Sequence, residues 1–249
     1  MTNTSKVKNL CVIPARSGSE RVLRKNLKKI NGVSLVRMAY DAALKSNMFD
    51  KIVVSTDDEN FSDGAPWIKR PKEISGSDSD ISDAIKHALL ASEKIDGITY
   101  DYVTTLQPAV PVRTGRLIAQ MLSEVIKKNC RGGLTGVEVV PWLWSACGKA
   151  ARNSWTPHPY PRSQSYDGIV NWQEINSVQI ADRRSVIEGK RWGLPLIVTL
   201  LPPFAAVDID TPRDLTLARS VLPVILECID NVEVAEQLII ERINELSEI

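Results

Sequence analysis

Hydrophobic residues along this chain fall into short β-branched runs separated by segments with helical spacing. The runs LCVI (10–13) and KIVVS (51–55) flank SLVRMAYDAALKS (34–46), where apolar side chains recur every three to four residues, so this stretch predicts a βαβ unit. DYVTTLQ (101–107) follows a second helical pattern, DAIKHALLASEKI (83–95), and FAAVDID (204–210) reads as a late strand before a helix starting near Thr211. Strands alternating with helices predict an α/β fold, a mostly parallel twisted sheet with helices on both faces. Sheets of that kind bind ligands beyond the carboxyl ends of their strands. The rule gathers PARSGSERVLRKN (14–26), STDD (55–58), LQPAVPVR (106–113) and DIDTP (208–212) around one crevice.

The alternation breaks between 141 and 192, where Trp142, Trp144, Trp155, Trp172 and Trp192 mix with the prolines of TPHPYPRSQ (156–164). Such an excursion serves either as a lid or subunit contact, or as a satellite hydrophobic cluster beneath a long loop. VEVAEQLIIERINEL (232–246) has the pattern of an amphipathic helix that packs on the body or on a second subunit. The expectation is one domain over residues 1–249 with the 141–192 segment inserted.

Composition narrows the functional classes. At 249 residues, 43% of them hydrophobic, the chain can bury one large core. A net charge of +1 with acids and bases intermixed supplies no field for nucleic acid or a membrane surface, so neither is an expected partner and charge recognition must be local. Cys11, Cys130, Cys147 and Cys228 lack metal-ligand spacing and read as buried free thiols. The polar start MTNTSKVKN lacks the apolar core of a signal peptide, which reads as a cytoplasmic protein.

The candidate chemistry sits in the gathered loops. After the first strand, Arg16, Arg21, Arg24 and Lys25 surround Gly18, a setting in which backbone N–H groups and cations meet an anion such as a polyphosphate. A second glycine at the right distance and a Gly-Lys-Ser/Thr ending are both missing, so the loop is neither a P-loop nor a dinucleotide fingerprint. Asp208 and Asp210, two apart on a presumed strand, would face the same way, and paired carboxylates suit Mg²⁺ on phosphates. The alternative makes Asp210 part of a helix cap with Asp208 on the surface, since Thr211, Pro212 and Asp214 fit N-cap, N1 and N3. Asp57 or Asp58 caps the next helix. Gln107, before two prolines, and Arg113 are poised for a polar ligand. His87 and His158 lack the partners of a catalytic triad.

Taken in order, IPARSGSERVLRKN, STDD, QPAVPVRTG and DIDTPRDL resemble the motifs of the acylneuraminate cytidylyltransferase family, over residues 9–219. The resemblance implies a Rossmann-related, GT-A-like nucleotidyltransferase fold, a homodimer, and a Mg²⁺-dependent reaction of CTP with a 2-keto sugar acid, sialic acid or a related nonulosonic acid, giving a CMP-sugar and pyrophosphate. It implies nucleotide contacts at Ala15, Arg16, Ser17, Gly18, Arg21, Lys25 and Asn26, an arginine near cytosine at Arg70, and a serine contact to the base at Ser79 or Ser82. It implies sugar-side roles for Gln107 and Arg113 and, in PRSQ, for Arg162 and Gln164, with metal ligands at Asp208 and Asp210. Arg16 and Lys25 are counted with these two carboxylates as the catalytic set.

Three departures from the motifs bear on the acceptor. Glu20 stands where the family has lysine, Ala109 and Val110 replace two hydroxyl residues, and no stretch before INSVQI matches the arginine that meets the sugar carboxylate. A site that loses such donors discriminates differently. The alternatives are a nucleotidyltransferase for another acidic acceptor, such as a phosphonate or an octulosonate, and a nucleotide binder without catalysis.

Overall fold

The computed structural model describes residues 7–138 and 172–228. The predicted βαβ unit forms as β1 (Asn9–Pro14), α1 (Leu35–Ser46) and β4 (Lys51–Thr56), with a small hairpin, β2 (Lys29–Ile30) and β3 (Val33–Ser34), before α1. Asn31 and Gly32 turn that hairpin at φ 49° and 80°, left-handed values that an Asn-Gly pair adopts at little cost. Ser34 caps α1 by accepting from Arg37 N at 3.0 Å.

The chain continues through β5 (Trp67–Lys69), α2 (Ile81–Asp96), β6 (Tyr102–Thr105), α3 (Gly115–Lys127), β7 (Gly132–Glu138), β8 (Trp172–Asp182), α4 (Arg183–Ile187), β9 (Leu196–Leu201) and α5 (Pro212–Cys228). One sheet has the order β5-β4-β1-β6-β8-β7-β9. β8 runs antiparallel to β6 and β7, and the other pairings are parallel, so the sheet is mostly parallel as expected.

β1 shows how helices cover both faces. Cys11, Ile13 and Ala15 pack with α1 and α3, whereas Leu10 and Val12 pack with α2 and α4. From β1 the chain goes first to β4 and β5 on one side and returns to β6 on the other. The order therefore reverses between β1 and β6, the place where a sheet of this kind opens a crevice.

FAAVDID is not a strand. Pro202 and Pro203 remove two backbone donors, Pro203–Ala205 forms a 3₁₀ turn, and the extended residues after it make one cross-chain bond, Ile209 N donating to Ala109 O at 2.9 Å. The alternation survives without the ladder: Ile209 is fully buried, and the flanking Asp208 and Asp210 are not. Thr211 and Asp214 form the reciprocal cap of α5, with Asp214 Oδ2 accepting from Thr211 N at 2.7 Å and from Asp210 N at 3.1 Å.

Of the excursion, only 172–192 is described, as β8, α4 and the turn after them; Trp142, Trp144, Trp155, Arg162, Gln164 and the C-terminal 232–246 pattern lie outside the described residues. Cys11 is buried as expected, but Cys130 is only half-buried. No helix among the described residues is long and apolar enough to cross a membrane.

Candidate active site

A cleft of about 430 Å³ opens between the ends of β1 and β6. Its walls come from the loop after β1 (Pro14, Arg16, Glu20, Arg21, Lys25, Asn26), the segment after β5 (Arg70, Gly76, Ser79, Asp80), the loop after β6 (Gln107, Ala109) and Asp210. The size suits a nucleotide-scale ligand.

The cations are aimed by specific bonds. Lys25 Nζ lies 2.9 Å from Asp210 Oδ1, and Arg21 Nη2 lies 3.1 Å from Asp210 Oδ2, so one carboxylate gathers two cations from the first loop. Arg16 Nη1 donates to Gly76 O, tying the first loop to the segment after β5. Asn26 is buried and donates to Arg16 O at 3.1 Å, which fixes the backbone behind that arginine. Arg70 is buried as well, donating from Nη2 to Ser55 O at 2.7 Å and from Nε to Ser55 Oγ at 3.1 Å. Burial pushes Arg70 down to about 10, with Asp57 opposing and Arg16 adding to the fall, so it stays cationic at neutral pH.

The acidic side of the cleft has a different character. Asp208 and Asp210 stand on either side of buried Ile209, and the Asp208 carboxyl is pushed up, first by desolvation and then by the Asp210 charge, with Lys25 pulling the other way. Asp210 lines the cleft and already holds Lys25 and Arg21, whereas Asp208 is not among the residues that line it. No group of three or more His, Cys, Asp or Glu forms a metal cage among the described residues. Two carboxylates still fit a small hard divalent ion whose remaining ligands are phosphate oxygens and water.

Several expected residues sit elsewhere. Ala15 is buried and extends the β1–β4 pairing through its N–H to Ser55 O at 2.9 Å. Ser17 is held rather than free: its N–H and Oγ donate to the two oxygens of Asp57 at 2.8 and 2.5 Å. Gly18 is outside the cleft lining, and a Cβ there would meet nothing within 4 Å. Arg24 turns away to stack over Phe61 at 5.6 Å. Of the two serines left open, Ser79 lines the cleft; Ser82 is buried in the first turn of α2 and borders a separate cavity with Arg191 and Trp192.

Arg113 requires a larger correction. It is 4% exposed, lines a different cavity, and donates through Nη2 to the carbonyls of Gln107 and Val110, so it grips the loop from beneath and does not face the cleft. Only one of the two lost hydroxyl positions bears on the cleft: Ala109 lines it, and Val110 is buried.

The sequence pattern of the cytidylyltransferase family matches residues 10–140, more than half of the chain and the part that builds most of this cleft. The chain belongs to the cytidylyltransferase family. Among its relatives, a pseudaminic acid cytidylyltransferase of Campylobacter jejuni is 27% identical over 223 residues, covering 86% of this chain and 95% of its own. A CMP-N,N'-diacetyllegionaminic acid synthase of Legionella pneumophila is 29% identical over 229 residues, with the same coverage of 86% and 95%. The family match makes the chain a nucleotidyltransferase, and together with these relatives it supports the acylneuraminate cytidylyltransferase family. The fold is shared with a solved CMP:2-keto-3-deoxy-manno-octonic acid synthetase in complex with CTP, at TM-score 0.63 and 17% identity, over 87% of this chain and 98% of that one.

The STDD ambiguity of this cytidylyltransferase resolves into two roles. Asp58 caps the 3₁₀ turn after β4, accepting from Asn60 N at 3.0 Å, and Asp57 reaches back to Ser17. Burial pushes the Asp57 carboxyl up, but the hydrogen bonds from Ser17 and the Arg70 charge together hold it below the usual range. Sequence reasoning offered Asp57 only as a cap. The lone signal for its other role was an aspartate at the end of the strand that pairs with β1.

Proposed function

We propose that this protein is a divalent-metal-dependent cytidylyltransferase, with Mg²⁺ as the expected ion, that transfers CMP from CTP to an acidic 2-keto sugar of the nonulosonic class. The observation that carries the reading is the composition of this cleft: Arg16, Arg21, Lys25 and Arg70 on the nucleotide side, Gln107 and Ala109 on the acceptor side, and Asp210 with them in the lining. The named activities of the relatives, on pseudaminic acid and on N,N'-diacetyllegionaminic acid, support the acceptor class.

In the reaction the anomeric hydroxyl of the sugar acid attacks the α-phosphorus of CTP, the new P–O bond forms as the bond to the β-phosphate oxygen breaks, pyrophosphate leaves, and the hydroxyl proton is released to solvent. Phosphoryl transfer needs alignment and charge neutralisation more than covalent help. Arg16 and Lys25 take up triphosphate charge, Arg21 and Arg70 add to the positive wall, and Asn26 holds the loop that carries them. Ser79 is positioned to meet the base, and Gln107 orients the acceptor. Asp208 and Asp210 would hold a divalent ion, which would supply further neutralisation of the phosphates. The 141–192 excursion, with Arg162 and Gln164, completes the sugar side and forms a homodimer contact, and the protein works in the cytoplasm.

Ala109 and Glu20, both on the cleft wall, favour an acceptor other than sialic acid itself, with a phosphonate or an octulosonate as the second reading. Pyrophosphate release from CTP with Mg²⁺, run across nonulosonic acids, octulosonate and phosphonates, tests the proposal. Release with one nonulosonic acid, and none when UTP, GTP or ATP replaces CTP, is expected. CTP binding without release on any acceptor would instead make the protein a non-catalytic nucleotide binder.

A further inference from the structure

Arg113 is a costly residue without an obvious return. Its guanidinium is buried, makes no ion pair among the described residues, and leaves Nε and Nη1 without a partner. The neighbouring Cys11 thiol is pushed up by burial and stays neutral, and Asp41, which lines the same cavity, is paired with Arg37 at 2.8 Å. Burial lowers Arg113 to about 9, so at neutral pH it is a cation with no counter-charge. A buried cation without an anion is a poor stability device. Its contribution lies in the geometry its two carbonyl bonds impose.

Those bonds grip Gln107 and Val110 at two points of one turn, which Val110 N closes onto Gln107 O at 3.1 Å. A second clamp comes from β8. β7 pairs Leu134 with Gln179 and then Thr135 with Ile175, so Asn176, Ser177 and Val178 bulge out of β8. Thr135 Oγ1 closes the bulge on Ile175 O at 2.7 Å, and the displaced Ser177 donates to Val112 O at 2.6 Å. Between the clamps, Ala109 O accepts from Ile209 N at 2.9 Å, and Ile209 packs in one cluster with Val112, Leu35 and Ala205. The loop thus shows Gln107 and Ala109 to the cleft and holds, through its backbone, the residue that separates Asp208 from Asp210.

We propose that Arg113 and Ser177 are positioning residues that couple the acceptor wall of the cleft to the carboxylates for the divalent ion, by fixing the 107–112 backbone on which both depend. The proposal rests on the cytidylyl-transfer reading. It makes acceptor recognition and metal retention a single mechanical unit, joined to the nucleotide loop through the Lys25 and Arg21 pairs on Asp210.

The test compares CTP binding by titration calorimetry, without Mg²⁺ and at saturating Mg²⁺, in the unaltered protein and in Arg113→Met, Arg113→Lys and Ser177→Ala, with a melting curve for each. Metal-free affinity should hold within about twofold, while the Mg²⁺-dependent gain falls about tenfold in Arg113→Met and a few fold in Ser177→Ala, the scale of a coupling between sites. Arg113→Lys should recover part of the gain. In turnover with Mg²⁺, the acceptor KM should rise and the CTP KM should rise with the lost Mg²⁺ gain. A lower melting temperature with an undiminished Mg²⁺ gain would make Arg113 merely structural and overturn the coupling. If Arg113→Met does not fold, Ser177→Ala decides the matter from β8. Failure of the unaltered protein to bind CTP would bring down the cytidylyl-transfer reading and the coupling with it, whereas an intact gain in folded variants overturns the coupling alone.

Discussion

The loop after β1 and the loop after β6 leave adjacent parallel strands at the same end of the sheet, and each carries arginine. In the first, Arg16, Arg21 and Lys25 stay partly exposed on the cleft wall, and two of them share Asp210 across it. In the second, two prolines and the apolar Val110 and Val112 draw the chain into the core, and Arg113 goes with it. Charges of the first kind can be handed to a ligand, because water and a partner across the gap hold them at little cost. The charge of the second kind is spent on backbone carbonyls. Positive charge near a strand end therefore has two uses, and burial separates them.

The largest effect should come from the residue that joins the two sides. Asp210→Asn removes the shared partner of Lys25 and Arg21 and half of the proposed metal pair. It should lower kcat/KM for pyrophosphate release by roughly 10²–10³-fold, the scale for losing one preorganised electrostatic contact to a transition state. The melting temperature should hardly move, because partly exposed ion pairs contribute only about 0–1 kcal/mol. Full activity in this variant would remove Asp210 from the metal pair and leave the first loop's cations without a catalytic reason to converge.

A smaller effect belongs to the support of the first loop. Asp57→Ala deletes both bonds on Ser17, and hydrogen bonds to a charged group are worth about 1.5–3 kcal/mol, so stability should fall by about that much. CTP affinity should drop severalfold as the loop loosens. The pH profile carries the sign of the Asp57 shift. A carboxyl held low in the folded state stabilises above its unfolded value of about 3.9 and loses that stabilisation as pH falls through the folded value. The acid limb of stability should therefore be flatter in Asp57→Ala. An unchanged limb would mean that Ser17 does not depend on Asp57.

These two residues also show what the sequence can and cannot reveal. Pattern was enough for β1, α1, β4, α2 and β6, because the helices bury one face, the strands are short apolar runs covered on both, and each has a clear boundary. The rule that ligands bind beyond the carboxyl ends of such strands then gathered the cleft loops. Pattern failed at FAAVDID, where β-branched and apolar residues have the composition of a strand but two prolines and a lone backbone bond leave no ladder. It also missed β5, whose three residues are too short to show a period. Among the residues that line the cleft, Lys25, Asn26, Arg70 and Gln107 were picked out by the motifs. The partners that aim them were not: Ser55 for Arg70, Asp57 for Ser17 and Gly76 for Arg16 lie 15, 40 and 60 positions away, and only the fold brings them together. Arg113 was misread because composition marks a charge but not its depth.

The smallest effect concerns Glu20, the exposed acid on the wall of the first loop. If the comparison between the loops is right, a charge placed there acts on the ligand and not on the fold, so Glu20→Lys should leave the melting temperature unchanged. It should tighten CTP binding about two- to fivefold at low salt, since exposed charge pairs are worth up to about 1 kcal/mol. The gain should vanish near 1 M salt, where the screening length is about 3 Å. An unchanged CTP affinity, together with a shifted acceptor KM, would place Glu20 beside the sugar acid. The first loop would then serve both substrates, and the division of labour between the two loops would hold for the backbone clamps alone.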